Sequence, residues 1–392
     1  MSSDLVLHKD ELLVALNEVH LSGQAAIDLV YPFIGLTLGT LDYGRMRIDR
    51  IVGSHEYADQ TSTVDQGFQR EVPEYGGLRQ ALISCGIVGY SNWHDVARAV
   101  RAALEEERDL HRARRPLYLS VDTNLLYLRT ISRLLDPPPQ PHARYRRGRP
   151  AANDGVPGLP SPPTSPSSPS HPLDARDFRW VVSEMVREEV DRRIRAKYKR
   201  LDIELFKSHG YGWLAERFFN ASDQPSRVAK SAFAELDWIT SELRAQFVAA
   251  GPFEEDKEKR DVTITRSLRD FEKSRACEVL LLSADADMAY HARAAELSCE
   301  ILHFSPTVPS SGNLTPRQCV DLLYDLALLY GALALKGTGI VLLGEWGGKT
   351  PMDWADERIM AVVDDRAAVR PALERDLASA RKLASLLGSY GW

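Results

Sequence analysis

The sequence predicts an α/β protein with a parallel sheet flanked by helices. Two observations indicate this fold class: short apolar runs typical of buried strands, and segments of helical periodicity that alternate with them. The runs are PLYLSV (116–121), EVLLLS (278–283), CEILHF (299–304) and GIVLLG (339–344). Such alternation favours parallel pairing because a crossover helix returns the chain to the same end of the sheet. The length of 392 residues exceeds what one hydrophobic core usually serves, so more than one domain is expected.

Helices are expected on both sides of these strands. Residues 93–113 carry Val96, Val100 and Leu104 on one face, which predicts an amphipathic helix before the first strand. Thr315 is a good N-cap and Pro316 suits the first helical position, so another helix begins there. The remaining helices are predicted at 124–135, 178–200, 203–250, 261–276, 286–297 and 371–387.

Composition and charge limit the class of protein. With 44% hydrophobic and 27% charged residues and a formal charge of −6, the chain is typical of a globular protein without a general attraction to nucleic acid. The middle differs, because residues 116–200 hold 15 Lys/Arg against 9 Asp/Glu. No secretory signal or membrane-spanning run is recognised, and the four cysteines form no C-x-x-C pair. These features predict a cytoplasmic protein with reduced thiols.

A Pro- and Ser-rich insertion interrupts the chain at residues 136–173. It contains 12 of the 22 prolines and few apolar side chains, so we expect it to be flexible. Four arginines surround Tyr145 in ARYRRGR (143–149), which would suit a phosphate backbone and one stacked base. A solvated loop without a binding role explains the same composition.

Aspartates directly follow two of the predicted strands. Asp122 ends PLYLSV, and Asp285 and Asp287 follow EVLLLSA. In an open parallel sheet the ligand site lies beyond the carboxyl ends of the strands, where these aspartates are expected. Asp122 and Asp285 are also good caps for the helices that follow, and that structural role is the alternative.

Two further carboxylates lie on apolar faces of predicted helices. Glu189 falls within the face of VVSEMVREEVDRRI (181–194), where an unpaired carboxylate is costly. That face is formed by Val181, Val182, Met185, Val186, Val190 and Ile194. In DVTITRSLRDF (261–271), Asp261 is in line with the apolar stripe, while Asp270 projects elsewhere and remains its rival as the third acid.

Carboxylates that converge in this way predict a metal site. They would repel one another and raise one another's pKa unless a cation joins them. Hard oxygen ligands suit Mg²⁺ or Mn²⁺ rather than zinc. Such an ion activates water and neutralises charge on a phosphoryl group, so the pattern favours hydrolysis of phosphodiester bonds.

Three fragments resemble the signatures of PIN-domain nucleases. They are VDTNLLY (121–127), the V-x-x-E-V pattern of residues 186–190, and LLLSADADMAYHARA (280–294). The resemblance covers about residues 116–307 and implies a PIN-like fold that cleaves single-stranded or structured RNA with Mg²⁺ or Mn²⁺. It implies a catalytic, metal-binding quartet of Asp122, Glu189, Asp261 and Asp285, with Asp287 as an auxiliary acid. Thr123, Asn124 and Ser283 would be the polar support.

The end of the predicted helix 178–200 is basic. Arg192, Arg195 and Lys199 are expected on one helical face, and Tyr198 offers a surface for a stacked base. An ordinary charged surface is the alternative. Continuity with Glu189 favours a role in holding RNA phosphates.

The sequence thus predicts three regions and one favoured function. The regions are an N-terminal region of unknown role (1–115), a PIN-like nuclease domain (116–307) and a mostly helical C-terminal extension (314–392). The favoured function is that of a metal-dependent endoribonuclease. The alternatives are a PIN-like module that binds RNA or a protein without catalysis, and a structure-specific DNA nuclease. No membrane partner is expected, and the oligomeric state is left open, a homo-oligomer included.

Overall fold

The computed structural model of the protein describes residues 2–108, 115–134 and 173–389, and within them the chain forms two units, each built on one sheet. The strands are β1 (Ser2–His8), β2 (Ala26–Tyr31), β3 (Leu36–Asp42), β4 (Arg47–Ile51), β5 (Leu117–Val121), β6 (Arg179–Ser183), β7 (Gln246–Val248), β8 (Glu278–Ser283), β9 (Ser298–Ile301), β10 (Gly312–Asn313), β11 (Ala332–Leu335), β12 (Ile340–Leu343) and β13 (Arg358–Asp364). The helices are α1 (Leu12–Leu21), α2 (Ser54–Ser62), α3 (Gln66–Gln69), α4 (Tyr75–Ser84), α5 (Trp93–Arg108), α6 (Thr123–Tyr127), α7 (Thr130–Leu134), α8 (Glu184–Arg193), α9 (Arg200–Lys207), α10 (Gln224–Ser241), α11 (Lys257–Arg275), α12 (Ala286–Ala294), α13 (Pro316–Tyr330), α14 (Pro351–Ala355) and α15 (Arg370–Ser389).

The parallel unit consists of β5–β9 and the helices that pack on them. Its five strands lie in the order β7-β6-β5-β8-β9, and every neighbouring pair is parallel. The predicted parallel sheet flanked by helices is therefore confirmed. β5 pairs with β8 in a register that sets Val121 beside Leu282, and the apolar side chains of both strands are buried. The two strand ends that carry the predicted aspartates consequently lie next to each other.

The antiparallel unit consists of the other eight strands with α1–α4, α9 and α13–α15. Its strands lie in the order β1-β13-β12-β11-β2-β3-β4-β10 and pair antiparallel throughout. Strands from the region before residue 115 and strands from the segment after residue 314 thus belong to one sheet. The predicted strand at 339–344 is present as β12, but it pairs antiparallel in this sheet.

The prediction of one long helix over residues 178–200 is wrong. Residues Arg179–Ser183 form β6, and α8 begins only after Ser183, whose side chain accepts a hydrogen bond from the backbone N–H of Met185. Val181 and Val182 are fully buried in the sheet rather than on a helix face. β-Branched residues fit the position between two strands, where both faces are covered.

The prediction that residues 203–250 are helical is only partly correct. The segment contains the end of α9, all of α10 and the strand β7, which pairs with β6. Between the helices, Gly212–Phe218 form 3-10 turns. The Pro- and Ser-rich segment 136–172 and its arginines lie outside the described residues.

A buried cluster of charged side chains joins the two units. Arg129 and Arg133, which belong to the α6–α7 segment, contact Asp325 and Asp321 of α13 respectively. Lys9 contacts Asp321 at 3.0 Å. Burial raises the pKa of Asp325 to about 6 against the opposing effect of the two arginines. These ion pairs connect the α6–α7 segment to the antiparallel unit. Separating the two would leave buried charges without partners, which is costly, so the cluster holds the segment in place.

The pairing of the first strand with a strand near the C-terminus can be tested in β1. Leu7 is fully buried opposite Ile359, whereas the neighbouring Val6 is 37% exposed. Leu7→Ala should lower the free energy of unfolding by about 2–5 kcal/mol, because it leaves a cavity in the core. Val6→Ala is the matched control, with a loss of about 0.5 kcal/mol or less. Equal effects of the two substitutions in urea unfolding would contradict the buried position of β1.

Candidate functional site

Asp122 lies at the centre of the candidate site, at the carboxyl end of β5. One carboxylate oxygen accepts the backbone N–H of Thr123 at 2.6 Å, so the residue caps α6. The other accepts the hydroxyl of Ser283 at 2.8 Å and the side-chain amide of Asn124 at 3.1 Å. The predicted supporting residues Thr123, Asn124 and Ser283 therefore all hold this one carboxylate.

The environment of Asp122 disfavours its charge. Complete burial raises its pKa to about 6, and the carboxylates of Asp261 and Glu189 add to the rise, while the hydrogen bonds from Ser283 and Thr123 oppose it. A residue that only caps a helix is usually exposed enough to keep an ordinary pKa. Asp122 therefore caps α6 and also carries a carboxylate whose ionised form is destabilised. Among the described residues, no basic side chain contacts this carboxylate.

Glu189 reaches the same site from α8. Its side chain is 14% exposed and accepts the Thr123 hydroxyl at 2.9 Å. Arg193, one turn further along α8, donates to it at 2.9 Å, and Arg260 of α11 lies 3.8 Å away. A carboxylate on an apolar helix face needs a partner. Glu189 has three, one hydroxyl and two guanidinium groups.

Asp285 follows β8 and caps α12. Its carboxylate accepts the backbone N–H of Asp287 at 3.0 Å, and Lys257 of α11 donates to it at 2.7 Å. Partial burial is the largest single effect and opposes the charge of Asp285, but the hydrogen bonds from Lys257 and from the backbone of Asp287, together with the charge of Lys257, hold its pKa below the usual value. The Ser283 hydroxyl, which donates to Asp122, also accepts the backbone N–H of Asp285 at 3.0 Å. One hydroxyl therefore connects the two strand-end aspartates.

Asp261, rather than Asp270, is the acid of α11 that faces this site. Burial raises the pKa of Asp261, and so do the nearby carboxylates of Asp285 and Glu189, against the opposing effect of Lys257 and His291. Asp270 is exposed and lies about 13 Å further along the helix axis, at 1.5 Å per residue. We refer to Asp122, Glu189, Asp261 and Asp285 as the acidic cluster. Asp287 is exposed beside it and lines the same cavity as Asp261.

The predicted basic helix face is not present. α8 ends at Arg193, so Arg195 lies beyond the helix, and Lys199 is the N-cap of α9. Arg192 is exposed, packs 3.9 Å from the ring centre of Phe253 and pairs with Glu255. Tyr198 is buried, and its hydroxyl donates to Glu71, so it offers no surface for a base. The turn after Arg193 breaks the periodicity on which that prediction relied.

The sequence interpretation missed the three basic residues that contact the acidic cluster, Lys257, Arg193 and Arg260. For two of them the sequence contained a signal, namely a spacing of four residues from an acid. Lys257 precedes Asp261 by four residues, and Arg193 follows Glu189 by four. Residues four apart share a helical face and form ion pairs there. Arg260 carried no such signal, since only the packing of α11 against α8 brings it to Glu189.

Three cavities open around the acidic cluster. One of about 470 Å³ lies beside Asp261 and Asp287. A second of about 530 Å³ lies beside Glu189, and a third of about 500 Å³ lies beside Asp285 and Asn124. Glu189, Asp261 and Asp285 are thus accessible from three directions, whereas Asp122 lines none of the three cavities and is buried.

The donor atoms of the acidic cluster are all oxygens, which suits a hard divalent cation. The chemistry of the donor set therefore fits Mg²⁺ or Mn²⁺. Within the described ranges, however, no group of three or more His, Cys, Asp or Glu side chains is arranged so that it could hold a metal ion. Asp285 and Glu189 are paired with basic side chains instead, so metal binding requires these carboxylates to exchange partners.

A comparison with models of known protein families finds none that matches the chain, and a comparison with curated protein sequences finds no significant match. The helices in the described part of the chain include none that is both long enough and apolar enough to cross a membrane.

The raised pKa of Asp122 predicts how stability depends on pH when no metal is present. The folded state holds this proton more tightly than the unfolded chain does, so ionisation of Asp122 reduces stability as the pH rises from about 4 to about 6. The loss is on the order of 3 kcal/mol. Asp122→Asn does not titrate in this range. The difference in free energy of unfolding between the variant and the parent should therefore shift in favour of the variant as the pH rises from 4 to 7. Urea unfolding in a chelator measures this difference, and a difference independent of pH would contradict the raised pKa.

Proposed function

We propose that the protein is a metal-dependent endoribonuclease with PIN-like architecture that hydrolyses RNA phosphodiester bonds at the acidic cluster. The observation that carries the proposal is the meeting of four carboxylates from β5, α8, α11 and the β8–α12 junction beyond one end of a parallel sheet. Their mutual effect on the pKa of Asp122 and Asp261 supports it. Carboxyl groups with perturbed pKa values are concentrated at functional sites, and carboxylate oxygens are ligands that Mg²⁺ and other hard cations prefer.

Each residue of the cluster has a role in this proposal. Asp122 and Asp285 are the central metal ligands, held in relation to each other by Ser283. Glu189, oriented by Thr123, completes the site and positions the attacking water. Asp261 is the fourth ligand, and Asp287 is an auxiliary acid at the open side. Bound Mg²⁺ or Mn²⁺ would supply activation of water and neutralisation of phosphoryl charge.

The basic residues next to the cluster provide electrostatic attraction for the substrate. Arg193 and Arg260 contact Glu189, and Arg192 lines the same cavity. Arginine binds phosphate oxygens through its planar fork of donors. We extend the proposal to Arg192 as a weaker phosphate contact in that cavity.

A second candidate function is an RNA- or protein-binding module without catalysis. It is favoured by the ion pairs Lys257–Asp285 and Arg193–Glu189, which neutralise two of the four carboxylates without a metal. A DNA nuclease would use the same acidic cluster, so the nucleic acids offered in the assay distinguish it from a ribonuclease.

The location of the protein is a separate part of the proposal. The unpaired thiols of Cys85, Cys277 and Cys319, all buried, support the proposal of a cytoplasmic location.

The central test is Asp122→Asn. With Mn²⁺ present, the parent should cleave members of a panel of single-stranded and hairpin RNAs and should gain thermal stability. The variant should fold, lose the gain from Mn²⁺ and cleave roughly 100-fold or more slowly, as expected when a directly acting group is lost.

Asp270→Asn is the matched control for that test, because it removes an exposed acid of α11 outside the cluster. It should keep both the cleavage rate and the response to Mn²⁺. Undiminished cleavage by Asp122→Asn would refute the assigned role. A parent that neither cleaves nor responds to Mn²⁺ would favour the binding module, and cleavage restricted to DNA would favour the DNA nuclease.

The ion pair between Lys257 and Asp285 predicts competition between the lysine and a metal ion. Lys257→Met removes the ammonium but keeps most of the side-chain volume, so Mn²⁺ should bind about 5-fold more tightly, the scale of one partly exposed charge pair. Lys259→Met removes an exposed lysine of the same helix and should leave the affinity unchanged. Calorimetric titration with Mn²⁺ measures both variants. Weaker Mn²⁺ binding by Lys257→Met would show that the lysine does not oppose the metal.

A further inference from the structure

The cavity of about 500 Å³ beside Asp285 is built by both units of the protein. Asn124, Tyr127 and Leu128 line it from the α6 segment, and Ala284 to Ala286 line it from the β8–α12 junction. Gln80 of α4, which belongs to the antiparallel unit, and Phe304 line it as well. The cavity therefore extends the acidic cluster toward residues that do not belong to the parallel sheet.

Two aromatic side chains line this cavity. Tyr127 and Phe304 are both half-buried, so part of each ring is open to the cavity. Phe304 packs against Tyr90 at 4.8 Å between ring centres, and the Tyr90 hydroxyl bonds to that of Thr130 at 2.5 Å. Burial raises the pKa of Tyr127 to about 12, so this residue stays neutral. Rings held in place in this way are suited to stacking against another planar ring.

Besides the charged Asp285 and Arg193, two side-chain amides line the cavity, and each is held by a hydrogen bond. Gln80 donates through its side-chain nitrogen to the backbone oxygen of Tyr127 at 2.9 Å. Asn124 donates in the same way to Asp122 at 3.1 Å. Each amide uses one of its two N–H groups in these bonds, so its oxygen and its second N–H group are left for a ligand, and the oxygens of Gln80 and Asn124 can accept N–H groups. Nucleobases carry such donors on their edges.

Arg193 places a phosphate-binding group at the rim of the cavity. It lines this cavity as well as the neighbouring one beside Glu189, and its guanidinium lies 5.7 Å from the ring centre of Tyr127. The aromatic side chains, Arg193 and Asp285 of the acidic cluster thus line one cavity. Groups suited to a base, to its phosphate and to the site of hydrolysis are therefore next to one another.

We propose that this cavity binds one unstacked nucleobase of a single-stranded nucleic acid, next to the phosphate that lies at the acidic cluster. This inference rests on the proposed nuclease function and names the substrate class of that site. A base within a duplex has both faces covered by its neighbours, so a duplex would not fill the cavity. Single-stranded segments, whose bases stack on aromatic side chains, fit it.

The test separates base binding from phosphate binding and from cleavage. Binding of a labelled single-stranded RNA of about eight nucleotides is measured in a chelator, beside an abasic ribose-phosphate strand of equal length. The parent should bind the RNA about 10-fold or more tightly than the abasic strand. Phe304→Leu keeps apolar volume but removes the aromatic face, and should reduce this ratio about 5-fold. Gln80→Met, which removes the amide, should reduce it as well.

Matched controls are Phe219→Leu, at an exposed aromatic residue of the antiparallel unit, and Gln69→Met, at an exposed amide. Both should leave the ratio unchanged, and thermal melting checks that each variant folds. A single-stranded DNA of the same sequence, tested alongside, distinguishes ribose from deoxyribose strands. A reduced ratio on either strand supports the base site.

The outcomes distinguish this inference from the proposed function. A parent that does not prefer bases over the abasic strand, or a preference that survives both Phe304→Leu and Gln80→Met, overturns the base site even when RNA is cleaved. A preference that both variants weaken supports the base site even when no metal produces cleavage. In that case only the nuclease proposal fails.

Discussion

The parallel pairing of β5 with β8 is the constraint on which the geometry of the site depends. Both strands are buried on both faces, so their apolar residues fix them at the centre of the sheet. Their register brings Asp122 and Ser283 to the same end, where the serine hydroxyl bonds to Asp122 and to the backbone of Asp285. A shift of one residue between the strands would separate these groups. The arrangement of carboxylates is therefore a consequence of core packing.

The acidic cluster is balanced by basic side chains from the two helices that also supply acids. Lys257 and Asp261 lie on α11, while Glu189 and Arg193 lie on α8, so each helix carries both signs of charge to the site. Asp122 is the exception, since burial and the neighbouring carboxylates raise its pKa. The charge that the fold leaves least compensated is thus located at the end of the central strand. A cation bound there would relieve this repulsion.

The antiparallel unit also contributes to the site. The buried ions around Arg129 and Arg133 hold the α6–α7 segment, which begins at Asp122, against α13. On the other side, Gln80 of α4 bonds to the backbone of Tyr127 at the end of α6. The helix that follows the central aspartate is therefore fixed by groups from outside the parallel sheet. This gives the flanking regions of the chain a physical connection to the acidic cluster.

Local pattern and tertiary packing determined different parts of this protein. The sequence by itself determined the strands β5 and β8, the aspartates that follow them and the helices α11 and α12, because these features depend on short apolar runs and on capping. It also identified Glu189, since the helical period holds from Met185 onward, although Val181 and Val182 belong to a strand. β6 has only five residues, and so short an apolar run next to a helix cannot be assigned to strand or helix by periodicity alone.

Only the tertiary structure decided which groups meet. β1 and β13 come from opposite ends of the chain, and no local pattern specifies a pairing between such distant segments. Packing between elements likewise brings Arg260 close to Glu189. It also decides that Asp261, rather than Asp270, is the acid of α11 that lies near the ends of the strands. Periodicity places a side chain on a face of its own helix, but the partner of that face is set by packing between elements. That is the physical reason why the acids were predictable one by one, while their charges, partners and cavities were not.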